Sequence, residues 1–153
     1  MDSIRQTTNA VLAVLALGVF VAALPAQGLK SDSVVKIAAE AGKPDAEGNQ
    51  VIALALTIEK GWHIYANPPG NDDLKPVATT VTLQGGAKGE VVYPAGKQVI
   101  DPVVGNYRVY EGTEEIRVKL ASEPNGPVKI QASFQACNDK SCLQPSKVTL
   151  EAK

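Results

Sequence analysis

Soft metal ligands are scarce in this chain of 153 residues: it has two cysteines, one histidine (His63) and one methionine, which is Met1. Zinc and copper sites generally draw on more of them, so neither a metal nor another cofactor is expected. An excess of one charge is also lacking. The 15 Lys and Arg face 16 Asp and Glu, scattered in ones and twos with no basic stripe. Nucleic-acid binding and electrostatic attachment to anionic lipid are therefore poorly supported. Serine, histidine and acids occur without a nucleophile motif to frame them, which leaves hydrolase chemistry without a basis. Asp72 and Asp73 lie in a Pro/Gly-containing loop and read as solvated rather than calcium-binding. Repeats and low-complexity tracts are absent. No segment beyond residue 26 sustains a helical period for three turns.

Long hydrophobic runs are nearly absent too, with one exception. Residues 11–24 (VLAVLALGVFVAAL) are apolar and uncharged, preceded by a polar stretch containing Arg5 and followed by Pro25-Ala26-Gln27. The run falls short of the ~20 residues a spanning helix needs. Its three-part layout matches a secretory signal peptide cleaved after Ala26, with a retained anchor as the alternative. No cysteine near the junction offers a lipid attachment site. The expected organisation is a signal peptide over 1–26 and one domain over 27–153, periplasmic or secreted, with no membrane insertion after the signal is removed. The signal takes one acid (Asp2) and one base (Arg5), so the net charge of −1 is unchanged. Outside the cytoplasm, two thiols are oxidised by default.

The rest of the chain is short alternating segments separated by Gly, Pro, Asn and Asp. Strands are expected at 34–39, 51–58, 62–65, 77–83, 91–93, 115–120, 128–136 and 147–151. Ile116, Val118 and Leu120 alternate with Arg117 and Lys119, and Val128, Ile130, Ala132 and Phe134 alternate with Lys129, Gln131 and Ser133. That is the period-two mark of half-buried strands. The fold class predicted is all-β, an immunoglobulin-like β-sandwich, with a closed barrel as competitor. Loops 66–75 and 94–106 stand out for length, and the second holds Val99, Ile100, Val103 and Val104. Such a loop covers either core or a site.

Cys137 and Cys142 flank the stretch Asn138-Asp139-Lys140-Ser141. If the flanking strands form a hairpin, this spacing can set the cysteines opposite one another, where facing Cα atoms are ~4.5 to 5.5 Å apart and a disulfide fits. So short a loop gives only roughly 2 kcal/mol in the loop-entropy model, against nearly 5 for a loop of about 100 residues. The bond would be a weak staple, yet an exported pair is by default structural. Lys140 favours a thiolate and Asp139 opposes it, so local charge decides nothing. The spacing is not that of a thioredoxin-type motif. Across Trp62-His63-Ile64-Tyr65, alternation sends Trp62 and Ile64 to one face, for the core, and His63 and Tyr65 to the other, where they can be ordinary surface residues.

Three stretches together carry a resemblance: Gly61-Trp62-His63-Ile64-Tyr65, then residues 107–112 (YRVYEG), then residues 134–145 (FQACNDKSCLQP). In this order they resemble the amino-terminal periplasmic domain family of the thiol:disulfide interchange protein DsbD, the disulfide bond corrector family. The most specific element is the aromatic–Gln–x–Cys hairpin with Cys-Leu-x-Pro on its far side. The resemblance implies an immunoglobulin-like fold with a redox cysteine pair on a hairpin. It also implies that the pair takes electrons from a membrane-embedded partner and passes them to thioredoxin-like periplasmic proteins, through mixed disulfides. Cys142 maps to the partner-contacting thiol and Cys137 to the resolving one. His63 and Tyr65 map to side chains beside the disulfide. The loop that caps the disulfide maps to residues 101–107, with Val103 and Val104 where an aromatic is expected, and Tyr107 at its end. The chain carries no membrane or thioredoxin-like portion, so a separately encoded membrane thiol transporter is expected as reductant. A protein-disulfide reductase or thiol–disulfide interchange component is the leading reading. The alternative is a non-catalytic immunoglobulin-like binding module whose disulfide secures a hairpin.

Overall fold

The computed structural model describes residues 28–122, 124 and 126–152, and the expected signal segment 1–26 lies outside them. Among the described residues the chain forms β1 (Val35–Ala41), β2 (Val51–Ile58), β3 (His63–Tyr65), β4 (Thr80–Leu83), β5 (Gly89–Val92) and β6 (Lys97–Val99). There follow β7 (Tyr107–Tyr110), β8 (Thr113–Leu120), β9 (Val128–Phe134), β10 (Ala136–Cys137) and β11 (Ser146–Ala152). Two short 3₁₀ turns, Ser31–Ser33 and Asp72–Val77, interrupt them. The strands pair antiparallel in sheets ordered β1-β2-β8-β5, β10-β3-β7-β6 and β11-β9-β4. The architecture is the expected all-β, immunoglobulin-like sandwich.

Period-two patterning sets the inner faces. On β2, Ile52, Leu54, Leu56 and Ile58 are buried while Ala55 and Thr57 are exposed. Register places Leu54 opposite Ile116 and Ile52 opposite Val118, so facing strands bury the same face. Val128, Ile130, Ala132 and Phe134 do the same on β9. These residues join Ile64, Tyr110 and Ala136 in one cluster drawn from all three sheets. Each aliphatic side chain buried there stabilises the fold by about 1.5–3 kcal/mol relative to exposure. Ile64 and Ala136 thereby anchor β3 and β10 directly in the core, and β10 carries the first arm of the cysteine hairpin.

Three expectations need correction. Loop 94–106 contains a strand, β6, which pairs with β7 from Lys97↔Val109 to Val99↔Tyr107. Residues 77–79 are not strand, because the 3₁₀ turn runs through Val77. Asn71 starts that turn by accepting a hydrogen bond from the Asp73 amide (3.0 Å). The expected strand 128–136 breaks at Gln135 into β9 and β10, which join different sheets. Both long loops are fastened to one buried phenol: the Tyr110 hydroxyl donates to the Pro94 carbonyl (3.0 Å) and accepts from the Asn67 amide (3.1 Å). Gly96 makes the passage possible, since a Cβ there would lie 2.8 Å from that of Ala66. Among the described residues no helix is long and apolar enough to cross a membrane.

Candidate functional site

Cys137 ends β10, and Cys142 faces it across an antiparallel bridge. Their sulfurs are bonded at 2.03 Å, with Cα atoms 4.0 Å apart. The turn between them is built on Asn138, whose side-chain oxygen accepts from the amides of Lys140 and Ser141, both at 2.9 Å. This is how Asn nucleates a tight turn: the side chain imitates a backbone carbonyl. The arms are then tied on either side of the disulfide. The Asn138 amide donates to the Ser141 carbonyl (2.9 Å), and the Leu143 amide to the Ala136 carbonyl (2.8 Å). The Gln135 side chain adds a bond to the Leu143 carbonyl (3.0 Å). The hairpin is thus closed by hydrogen bonds that do not involve sulfur.

A further tie comes from the other end of the chain. The Ser31 hydroxyl accepts from the Ala136 amide (2.8 Å) and donates to the Gln144 carbonyl (2.7 Å). It therefore spans the two arms of the hairpin. The Ser31 amide also donates to the Gln144 carbonyl (2.9 Å), and the Gln144 amide to the Leu29 carbonyl (3.2 Å). Ser146 secures the same segment, accepting from the Asp32 amide (3.0 Å) and donating to the Asp32 carboxylate (2.9 Å). Ser31 was absent from the sequence expectations. Its partners lie more than a hundred positions away, and no local pattern announces them.

The two sulfurs have unlike surroundings. Cys137 is 2% exposed, whereas Cys142 is exposed. Cys137 sits opposite His63 in the β10–β3 register. His63 and Tyr65, both half-buried, meet edge to face with centroids 5.9 Å apart. Tyr65 meets Tyr107 at 5.8 Å. The rings of His63, Tyr65 and Tyr107 thus form a row. Burial pushes the His63 pKa below its ordinary value, more strongly than the carboxylates of Glu111 and Asp139 push it up. The nearby Lys97 ammonium adds to the lowering. Burial raises the phenols of Tyr65 and Tyr107, the second helped by Asp101 and Asp139. A cleft of about 560 Å³ opens beside His63, walled by Trp62, Glu111 and Asp139.

The expected cap loop is well tethered. The Asp101 carboxylate accepts from the amides of Val103 (2.7 Å) and Val104 (2.9 Å), and the Val104 carbonyl accepts from the Asn71 side chain (2.6 Å). Yet Val103 is 89% exposed and Val104 53% exposed, while Tyr107 is half-buried. Of the three, Tyr107 is the residue in contact with the ring row beside the hairpin.

The site thus presents one cysteine of the bonded pair to solvent and buries the other.

Residues 27–153 match the family described as thiol:disulfide interchange protein DsbD, N-terminal. No curated protein matches the chain. Among solved structures, the fold is similar to the reduced DsbD N-terminal domain of Neisseria meningitidis. The TM-score is 0.59 at 14% identity, covering 80% of this chain and 87% of that one. It is also similar to the N-terminal periplasmic domain of ScsB from Proteus mirabilis, with a TM-score of 0.52 at 18% identity. That match covers 76% of this chain but 45% of the other, so the chain spans under half of that protein's solved length.

Proposed function

Because this chain belongs to the family of DsbD amino-terminal domains, we propose that it is an exported thiol–disulfide exchange domain that relays electrons to periplasmic thioredoxin-like proteins through Cys137 and Cys142. The observation that carries this reading is the unequal exposure of the two cysteines, Cys142 exposed and Cys137 2% exposed. Exchange needs one reachable sulfur for the partner and one held back to resolve the intermediate.

In loading, a thiolate of a separately encoded membrane thiol transporter attacks the Cys142 sulfur. The Cys137–Cys142 bond breaks, and Cys137 leaves with the electron pair and takes a proton. A second partner thiol then displaces Cys142, so the partner gains a disulfide and this domain gains two electrons and two protons. In delivery, the Cys142 thiolate attacks the disulfide of a thioredoxin-like protein. Cys137 attacks Cys142 in turn, which restores the internal bond and releases the partner as a dithiol. Sulfur alone carries the electrons, so the chemistry needs no cofactor. His63 and Tyr65, with Tyr107 behind them, wall the strand that carries Cys137 and screen it from stray thiols.

The competing reading, a binding module with a structural disulfide, is weakened by the sulfur-independent hydrogen bonds that already close the hairpin. Replacing Cys137 by serine separates the two readings. The Cys137→Ser variant is expected to accumulate a mixed disulfide between Cys142 and a thioredoxin-like protein, seen by non-reducing electrophoresis and mass spectrometry. A wild-type potential well below about −300 mV, where structural disulfides lie, together with no trapped complex, would sink the relay.

A further inference from the structure

The hairpin rests on residues 29–33, a segment to which the exchange chemistry above gives no part. Three polar residues are buried among the described residues, Ser31, Thr79 and Ser146, and two of them lie in this contact. Ser31 is 0% exposed. We propose that Ser31 is a positioning residue for disulfide exchange, coupling the docking of the 29–33 arm to the oxidation state of Cys137 and Cys142. The proposal rests on the exchange reading.

The geometry is specific. Ala136 directly precedes Cys137, and Gln144 follows two positions after Cys142. The Ser31 hydroxyl bonds both, at 2.8 and 2.7 Å. The arm's other hydrogen bonds to the segment that follows Cys142 go to Gln144 and Ser146, and none of its remaining ones reaches the Cys137 strand. Among the described residues, the hydroxyl is therefore the arm's one hydrogen-bonded link to the Cys137 strand. The S–S bond and the hydroxyl bridge restrain the same coordinate, the separation of the two arms. When the hydroxyl holds the arms, the thiols meet with little further loss of freedom. When the disulfide holds them, the hydroxyl finds both partners in place. Linkage makes the effect reciprocal: the docked arm favours the disulfide, and the disulfide favours the docked arm by the same factor. Loss of the hydroxyl therefore favours the dithiol, whose arms separate, over the disulfide, whose arms cannot.

Reduction breaks the Cys137–Cys142 bond and adds two electrons and two protons. In a dithiothreitol or glutathione buffer these come from two reductant thiols, which become a disulfide. Ser31→Ala, titrated in such a buffer, is expected to shift the equilibrium toward the dithiol by about three- to tenfold; tenfold is about 30 mV for this two-electron couple, to the less negative side. Its thermal midpoint should fall further in the oxidised than in the reduced protein, because the hydroxyl is coupled to the disulfide. A residue that merely supports the fold would lower both equally and leave the potential unmoved, and that result in folded Ser31→Ala overturns the proposal. The wild-type protein gives a second test that needs no variant. By hydrogen exchange, the Ser31 and Asp32 amides should be less protected in the dithiol than in the disulfide, and equal protection overturns the proposal. Small-thiol buffers read the potential without any protein partner. A failure to exchange with thioredoxin-like proteins therefore defeats the relay reading separately.

Discussion

At His63, burial outweighs the two carboxylates that face it, and the imidazole is held neutral near pH 7. On the exchange reading proposed above, a neutral imidazole would serve a neighbouring thiolate by hydrogen-bond donation rather than ion pairing. His63→Phe is expected to raise the pKa of the attacking thiol, read from the pH dependence of alkylation, and an unchanged pKa removes the histidine from the mechanism. The same shift sets a pH dependence of stability. Because the folded pKa lies below the ordinary value of 6.5, the unfolded chain binds more protons between the two values. Stability is thus full above about pH 6.5 and declines as pH falls through the folded pKa. Urea denaturation of the wild type between pH 7 and 5 should show this decline, and His63→Phe should flatten it. Alternation in the sequence correctly placed His63 and Tyr65 on one face with Ile64 on the other. The half-burial of both rings was not legible there, because Tyr107 comes from a distant strand to cover Tyr65.

The hairpin 135–144 is an element whose closure is over-determined. Asn138 organises the turn, backbone bonds flank the disulfide, and Ser31 braces the arms. Loop entropy alone assigns so short a crosslink roughly 2 kcal/mol, and an unfolded chain gains less freedom when the native turn persists without it. Reduction is therefore expected to lower unfolding stability by about 1–2 kcal/mol, measured by urea titration with and without reductant. A loss near 5 kcal/mol would identify a structural staple. The cysteine spacing and the turn residues made this hairpin readable from sequence. Strand β6 was not readable, for a physical reason: three residues, of which Val99 alone is half-buried, leave no period to detect. The pairing that makes Lys97–Val99 a strand is supplied by β7.

Across the whole molecule, the sandwich was legible where strands are long and one face is buried. β2, β8 and β9 write their inner faces directly into the sequence as every second residue. Ile116→Ala on β8 is expected to cost about 2–5 kcal/mol by leaving a cavity in the shared core, measured by urea denaturation at fixed redox state. The assignment of strands to three sheets was not legible, since the break at Gln135 that hands the chain from one sheet to another leaves the apolar pattern unbroken. One consequence concerns proteolysis. Because the segments around Asn67 and Pro94 share the Tyr110 hydroxyl as one of their attachments, its loss loosens them together, although Arg108 also holds them through the Pro69 and Ala95 carbonyls. Tyr110→Phe keeps the ring but drops this shared attachment, so a nonspecific protease should nick both segments faster than in the parent chain and at similar rates.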